Sequence, residues 1–201
     1  MNWVFALSDR RPRAAILVSR YDHCLVDLLH RQRNGELACD FPLTISNHPD
    51  AQRHADFFGV PFHHTPVSKE NKSAAEAQQI ELLYAHKIDL VVLARYMHVL
   101  STDFIVQYPQ PIINIHHSFL PALIGVKPHH QAYERGVKLI TEVLDDGPII
   151  EQGVSRISHR DSLEDLVEKG RDPKKVVLSR AVRWHIENRI LLYGNKTIIF
   201  S

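Results

Sequence analysis

The segment Pro111-Ile-Ile-Asn-Ile-His-His-Ser-Phe-Leu-Pro121 places an amide, Asn114, and an imidazole, His116, two positions apart at the end of an apolar run. Alternate residues of a strand share a face, so the two side chains would project together where the strand stops. An amide N–H can donate to developing oxyanion charge and an imidazole can move protons near neutral pH, a pairing suited to attack on a carbonyl carbon. A strand end whose polar groups merely hydrogen-bond the next loop explains the same spacing. A second chemical feature is Leu144-Asp145-Asp146-Gly147-Pro148. Its aspartates suit a solvated turn that bonds its own backbone. Folded back on the strand end, a carboxylate there would favour the imidazolium of His116 and orient a water.

The elements that must position these groups follow a βαβ rhythm. Short β-rich runs alternate with amphipathic segments from Ala14 onward, which predicts an α/β fold with a mostly parallel central sheet flanked by helices. Strands are expected at Ala14–Val18, Leu43–Ser46, Pro61–Thr65, Asp89–Ala94, Pro111–Ile115 and Lys196–Phe200. Helices are expected from Asp22, as cap, to Arg33, at 50–58 before Gly59, at 71–87, from Ser101 towards Tyr108, and at 129–135, 162–168 and 174–188. In the helix at 71–87, Ala74, Ala77, Ile80, Leu83 and Tyr84 form an apolar stripe at helical spacing.

Two other strand ends bear on ligand binding, because open α/β sheets bind beyond the carboxyl ends of their strands. Ser19-Arg20-Tyr21-Asp22-His23 lacks the glycines of a backbone phosphate cradle, although Arg20 can meet an anion or simply face solvent. The segment Ala94-Arg95-Tyr96-Met97-His98-Val99-Leu100 suits a flat heterocycle, and ordinary core packing of Met97, Val99 and Leu100 explains it as well.

Length and charge narrow the classes. The 201 residues suffice for one substantial core, and Lys+Arg 24 against Asp+Glu 23 leaves a formal charge of +1. That balance predicts neither a nucleic-acid partner nor a membrane-surface patch. The two cysteines, Cys24 and Cys39, are too few for a disulfide framework, which together with the lack of a long apolar run points to a soluble protein of a reducing cytoplasm.

At these residues the chain resembles the formyltetrahydrofolate deformylases and, more widely, the folate-dependent formyltransferases. The resemblance rests on Asn114-Ile115-His116 with Ser118 and Leu120-Pro121, and on Leu144-Asp145-Asp146-Gly147-Pro148. The hydrolase branch is marked by Val18-Ser19-Arg20-Tyr21-Asp22-His23-Cys24-Leu25, His116-His117-Ser118-Phe119, Lys169-Gly170-Arg171-Asp172 and Gly194-Asn195-Lys196-Thr197. It implies a Rossmann-like formyltransferase fold over residues 13–201, with 1–12 as the end of an interdomain link. It also implies Asn114, His116 and Asp145 as the catalytic trio. The folate would lie against Met97, His98, Val99, Leu100, Val143 and Leu144, as substrate rather than cofactor. The residues themselves predict no metal, and apolar surface on the late helices suits a homo-oligomer or simply the core. Similar transferases that formylate a phosphorylated amine carry a glycine-rich loop after the first strand, so its replacement here by Ser19 to His23 makes water the natural acceptor.

The chain departs from that family pattern in two places. Family members carry an N-terminal sensing domain ahead of the part matched here. Between Ile140 and Thr141 the family also has an intervening strand, which implies a deletion disturbing Asp145 or a join across residues absent from the printed sequence. The second is favoured, since losing a sheet strand beside a catalytic loop is strongly destabilising. Competing readings are formyl transfer to an amine and a catalytically silent folate sensor. A metal hydrolase built on His116, His117, His129 and His130 lacks ligand spacing, and Cys24 as a nucleophile lacks a base nearby.

Overall fold

The run Arg13–Val18 forms the first strand, β1, and every residue from Ala14 to Val18 is buried, as expected of a strand covered on both faces. The computed structural model describes residues 10–115, 132–139, 147–156, 162–169, 171–193 and 196–200. After β1 come α1 (His23–Arg33), β2 (Asp40–Ser46), a 3-10 turn (Pro49–Ala51), α2 (Gln52–Phe58), β3 (Phe62–His64) and α3 (Lys72–Ala85). They are followed by β4 (Leu90–Leu93), α4 (Thr102–Gln107), β5 (Ile112–Ile115), β6 (Ala132–Leu139) and β7 (Ile149–Arg156). The chain continues through α5 (Leu163–Lys169), α6 (Arg171–Ile186), β8 (Ile190–Tyr193) and β9 (Lys196–Ile199).

Among the described residues the main sheet has seven strands in the order β3-β2-β1-β4-β5-β6-β7, and β8 pairs with β9 in a separate hairpin. The first five strands run parallel, while β6 is antiparallel to both β5 and β7. Strand order reverses direction between β1 and β4, making their carboxyl ends the topological switch point of the fold.

Period-two alternation sends the sheet's side chains into two cores. Ala14, Ile16 and Val18 pack with Leu25, Leu28 and Leu29 of α1 and Leu178 and Val182 of α6. On the opposite face Ala15, Leu17, Leu43, Ile45, Val91 and Leu93 pack against Ile80 and Leu83 of α3 and Phe104 and Tyr108 beyond. Tyr108 is fully buried, and its hydroxyl is satisfied by donation to the Ile88 carbonyl at 2.7 Å.

Helix ends follow local chemistry in most cases. Gly59 ends α2 at φ 72°, a left-handed conformation that costs glycine little, and Ser101 caps α4 by accepting from the Phe104 N–H at 3.1 Å. Asp22 stands at the cap position of α1 but makes no capping bond; its Oδ2 lies 2.8 Å from His54 Nε2 instead.

The described structure changes several expectations. The helix anticipated at 129–135 is strand from Ala132 onward, because pairing with both β5 and β7 outweighs local propensity in a segment interrupted by Gly136. Strand β6 pairs with β5 and ends at Leu139, just before the Ile140–Thr141 junction. Residues 140–146 lie outside the described residues. The anticipated stripe of α3 is also redrawn: Ala75, Glu76, Gln79, Ile80 and Leu83 are buried, whereas Ala74, Ala77 and Tyr84 are exposed. Two polar residues go inward because each finds a partner. Gln79 Nε2 donates to the Tyr96 hydroxyl at 3.0 Å, and Glu76 receives Ser101. Strands β7 and β8 were not anticipated, although Gly194-Asn195 between two apolar runs is a hairpin signal.

Candidate active site

At the switch point the carboxyl ends of three strands are tied together by one chain of hydrogen bonds. The backbone N–H of Ser19, just past β1, donates to the Arg95 carbonyl at 3.3 Å, and Ala94 N–H donates to the Leu17 carbonyl at 2.8 Å. Ser19 Oγ accepts from the Met97 N–H at 3.0 Å and donates to Asn47 Oδ1 at 2.7 Å. Asn47, just past β2, places its Nδ2 2.9 Å from His98 Nε2. Ser19 and Asn47 are buried, so these bonds form away from bulk water, where leaving a partner unmatched is costly.

The chain holds Met97–Leu100 in a defined path beyond β4. Met97 and Val99 are exposed at 45% and 55%, His98 between them is half-buried, and Leu100 turns inward with Tyr96 to the core beneath. Two exposed apolar side chains flanking an imidazole form a surface on which a flat heterocycle can rest, while Leu100 contributes packing. The His98 ring lies 5.6 Å from that of Tyr96. Burial, together with nearby His48 and Lys72, holds the His98 imidazole below its ordinary pKa and thus neutral.

Asn114 lies on β5, opposite Leu93 of β4 and Lys138 of β6, and is half-buried. Alternation puts it on the same sheet face as Ile112 and Leu93, which belong to the core that also contains Tyr96 and Leu100. Extending the same period along β1 and β2 places Ser19 and Asn47 on that face. The structure thus gathers Asn114, the Ser19–Asn47 pair and the Met97–Leu100 segment on one side of the sheet at its carboxyl end. His116, Val143, Leu144 and Asp145 lie outside the described residues, as do His117, His129 and His130.

The other face of the switch point is basic. Arg95 adopts φ 65°, and its guanidinium sits 5.0 Å over the Tyr21 ring with Nε and Nη1 buried and without a partner among the described residues. His23 nearby is pushed down to about 4 by burial and by the positive charges of Lys174, Arg95 and Arg171. Burial pushes the Cys24 thiol up to about 12, so it is a packing residue with negligible thiolate at neutral pH. Arg20 is exposed. Among the described residues no group of three His, Cys, Asp or Glu side chains is arranged to hold a metal ion.

Sequence spacing missed the Ser19–Asn47–His98 chain because it links residues from three separate strand ends. Ser19 and His98 lie in strand ends already singled out for ligand binding, but Asn47 does not, and only the parallel register of β1 with β2 and β4 brings the three together.

Similarity to known proteins agrees with this geometry. Residues 12–182 match the formyl transferase family model. The chain is 56% identical over 207 residues to a formyltetrahydrofolate deformylase of Synechocystis, covering 100% of this chain and 72% of that protein. The crystal structure of a formyltetrahydrofolate deformylase from Pseudomonas syringae pv. tomato superposes with a TM-score of 0.88 at 43% identity, covering 96% of this chain and 67% of that one. Glycinamide ribonucleotide transformylase 1 from Symbiobacterium toebii superposes with a TM-score of 0.83 at 26% identity, covering 95% of both chains. With a family match spanning residues 12–182 and a relative of 56% identity over its full length, the chain belongs to the formyl transferase family.

Proposed function

We propose that the chain hydrolyses 10-formyltetrahydrofolate to formate and tetrahydrofolate, with water as the formyl acceptor. The observation that carries this reading is the 56% identity, over the full chain, to a protein named formyltetrahydrofolate deformylase. In the proposed reaction Asn114 donates a hydrogen bond to the formyl oxygen, and Asp145 and His116 position and deprotonate the attacking water. The C–O bond forms at the formyl carbon, the tetrahedral intermediate collapses, and the C–N10 bond breaks as the protonated imidazole delivers a proton to N10. The folate ring rests against Met97, His98, Val99 and the loop containing Val143 and Leu144. Exposure of Met97 and Val99 supports that placement. The substrate carries the only one-carbon unit the reaction needs, and no cofactor is invoked.

The turn after β1 favours water over a phosphorylated amine: Ser19 to His23 contains no glycine, so its backbone is not suited to wrap a phosphate. Self-association is part of the same reading, supported by the hairpin β8–β9, where Leu191, Tyr193, Ile198 and Phe200 are all about half exposed or more. No helix among the described residues is long and apolar enough to cross a membrane, and two buried free cysteines fit a reducing cytoplasm.

The test is Asn114→Ala. Loss of one oxyanion donor raises the barrier by about 2.7 to 4 kcal/mol, so formate release should fall roughly a hundred- to a thousandfold with the fold intact. Near-normal release would remove Asn114 from the mechanism.

A further inference from the structure

The donors and acceptors around Asn47 fix the proton on His98. The Met97 N–H can only donate, and Ser19 Oγ receives it at 3.0 Å. The single hydroxyl proton of Ser19 then goes to Asn47 Oδ1 at 2.7 Å, which turns the amide nitrogen towards His98 Nε2 at 2.9 Å. An amide nitrogen donates and does not accept, so Nε2 must be bare and the ring proton must sit on Nδ1. Reversing the amide would leave the buried Ser19 hydroxyl proton without an acceptor among the described residues. Nδ1 makes no hydrogen bond among the described residues, and the residues before and after His98 in the chain, Met97 and Val99, are exposed.

We propose that Ser19 and Asn47 are positioning residues that hold His98 as the neutral imidazole protonated on Nδ1, presenting that N–H to a carbonyl or ring-nitrogen acceptor on the bound heterocycle. The proposal rests on the folate reading of the site for its ligand, but its first part concerns the protein alone. A donor held in this way distinguishes an acceptor edge from a donor edge of a flat ring, because a mismatched edge would leave the buried chain unsatisfied. The electrostatic setting agrees. His48 after β2 and Lys72 on α3 oppose protonation, Glu76 on α3 favours it, and burial outweighs each of them. A second proton on Nε2 would also face the Asn47 amide donor.

The decisive experiment is 15N NMR of the imidazoles in the wild-type chain, with the His98 signals assigned by their loss in His98→Gln. Protonated Nδ1 and bare Nε2 near neutral pH are expected; the opposite tautomer overturns the proposal. Tetrahydrofolate binding and the kinetics of Asn47→Ala supply the second arm. Kd and KM should rise roughly two- to tenfold, the worth of one ordinary hydrogen bond, with kcat moving less. Ser19→Thr should rescue what Ser19→Ala loses. Asn47→Asp sets a carboxylate against Nε2 and should move the pH dependence of KM to higher pH, which a purely structural role would not do. Unchanged KM in Asn47→Ala with the expected tautomer would refute the positioning role. Absence of tetrahydrofolate binding by the wild type would instead overturn the folate reading, and the proposed ligand with it.

Discussion

Glu76 of α3 accepts two hydrogen bonds from Ser101, one from its backbone N–H at 3.0 Å and one from its hydroxyl. The same hydroxyl oxygen caps α4, so a single buried carboxylate links the long helix, the start of the next helix and the end of the Met97–Leu100 segment. Lys72, one turn earlier on α3, lies 3.8 Å away.

Truncating that carboxylate leaves two donors of Ser101 without their acceptor. Glu76→Ala should therefore cost about 2–3 kcal/mol in urea unfolding, with Glu76→Gln closer to 1 kcal/mol because one acceptor remains. Both variants should raise KM before they lower kcat, since Ser101 ends the segment assigned to the heterocycle. An unfolding midpoint equal to that of the wild type for Glu76→Ala would show that the linkage carries no stability.

His23 predicts a pH dependence of stability. Its folded pKa of about 4 lies below the ordinary value of 6.5, so between those limits the unfolded chain binds more protons than the folded one. Stability therefore rises with pH through this window and is progressively lost as pH falls from about 6.5 towards 4. His185, held low by burial, contributes with the same sign. The neighbours that set the His23 shift are Lys174, Arg95 and Arg171, opposed by Asp22. Allowing for partial exposure, the His23 share is about 1–2 kcal/mol. Replacing it by Gln should flatten the slope of unfolding free energy against pH; an unchanged slope would contradict the assignment.

Gly153 of β7 marks where the sheet meets α6. A Cβ added there would stand 2.5 Å from Cγ2 of the buried Val177, whose β-branched side chain has little freedom to move aside. Gly153→Ala should cost about 1–3 kcal/mol. Adding Val177→Ala should recover part of that loss rather than compound it, a non-additivity that a double-mutant cycle reads directly. Simple addition of the two losses would show that the backbone yields instead.

The sequence made legible those parts of the fold that depend on near neighbours. The apolar runs of β1 and β4, the glycine after α2 and the serine before α4 all act within a few residues of themselves, and the structure uses them as their chemistry suggests. Segments whose state depends on distant partners were misread. Ala132–Leu139 is strand because β5 and β7 flank it, and Glu76 and Gln79 turn inward because Ser101 and Tyr96 lie across from them. At the candidate site, the place of Asn114 on a strand and of Met97 and Val99 past a strand end could be read from local pattern, while the exposure of Met97 and Val99 could not. Ser19 and Asn47 could not, because their meeting requires the register of three parallel strands.

Isotopic labelling tests the hydrolytic account most directly. Incubating the chain with 10-formyltetrahydrofolate in 18O-enriched water, without any amine, should release formate carrying one solvent oxygen, in an amount equal to the tetrahydrofolate formed. Formation of tetrahydrofolate only when an amine is supplied, with the formyl group recovered on that amine, would contradict it.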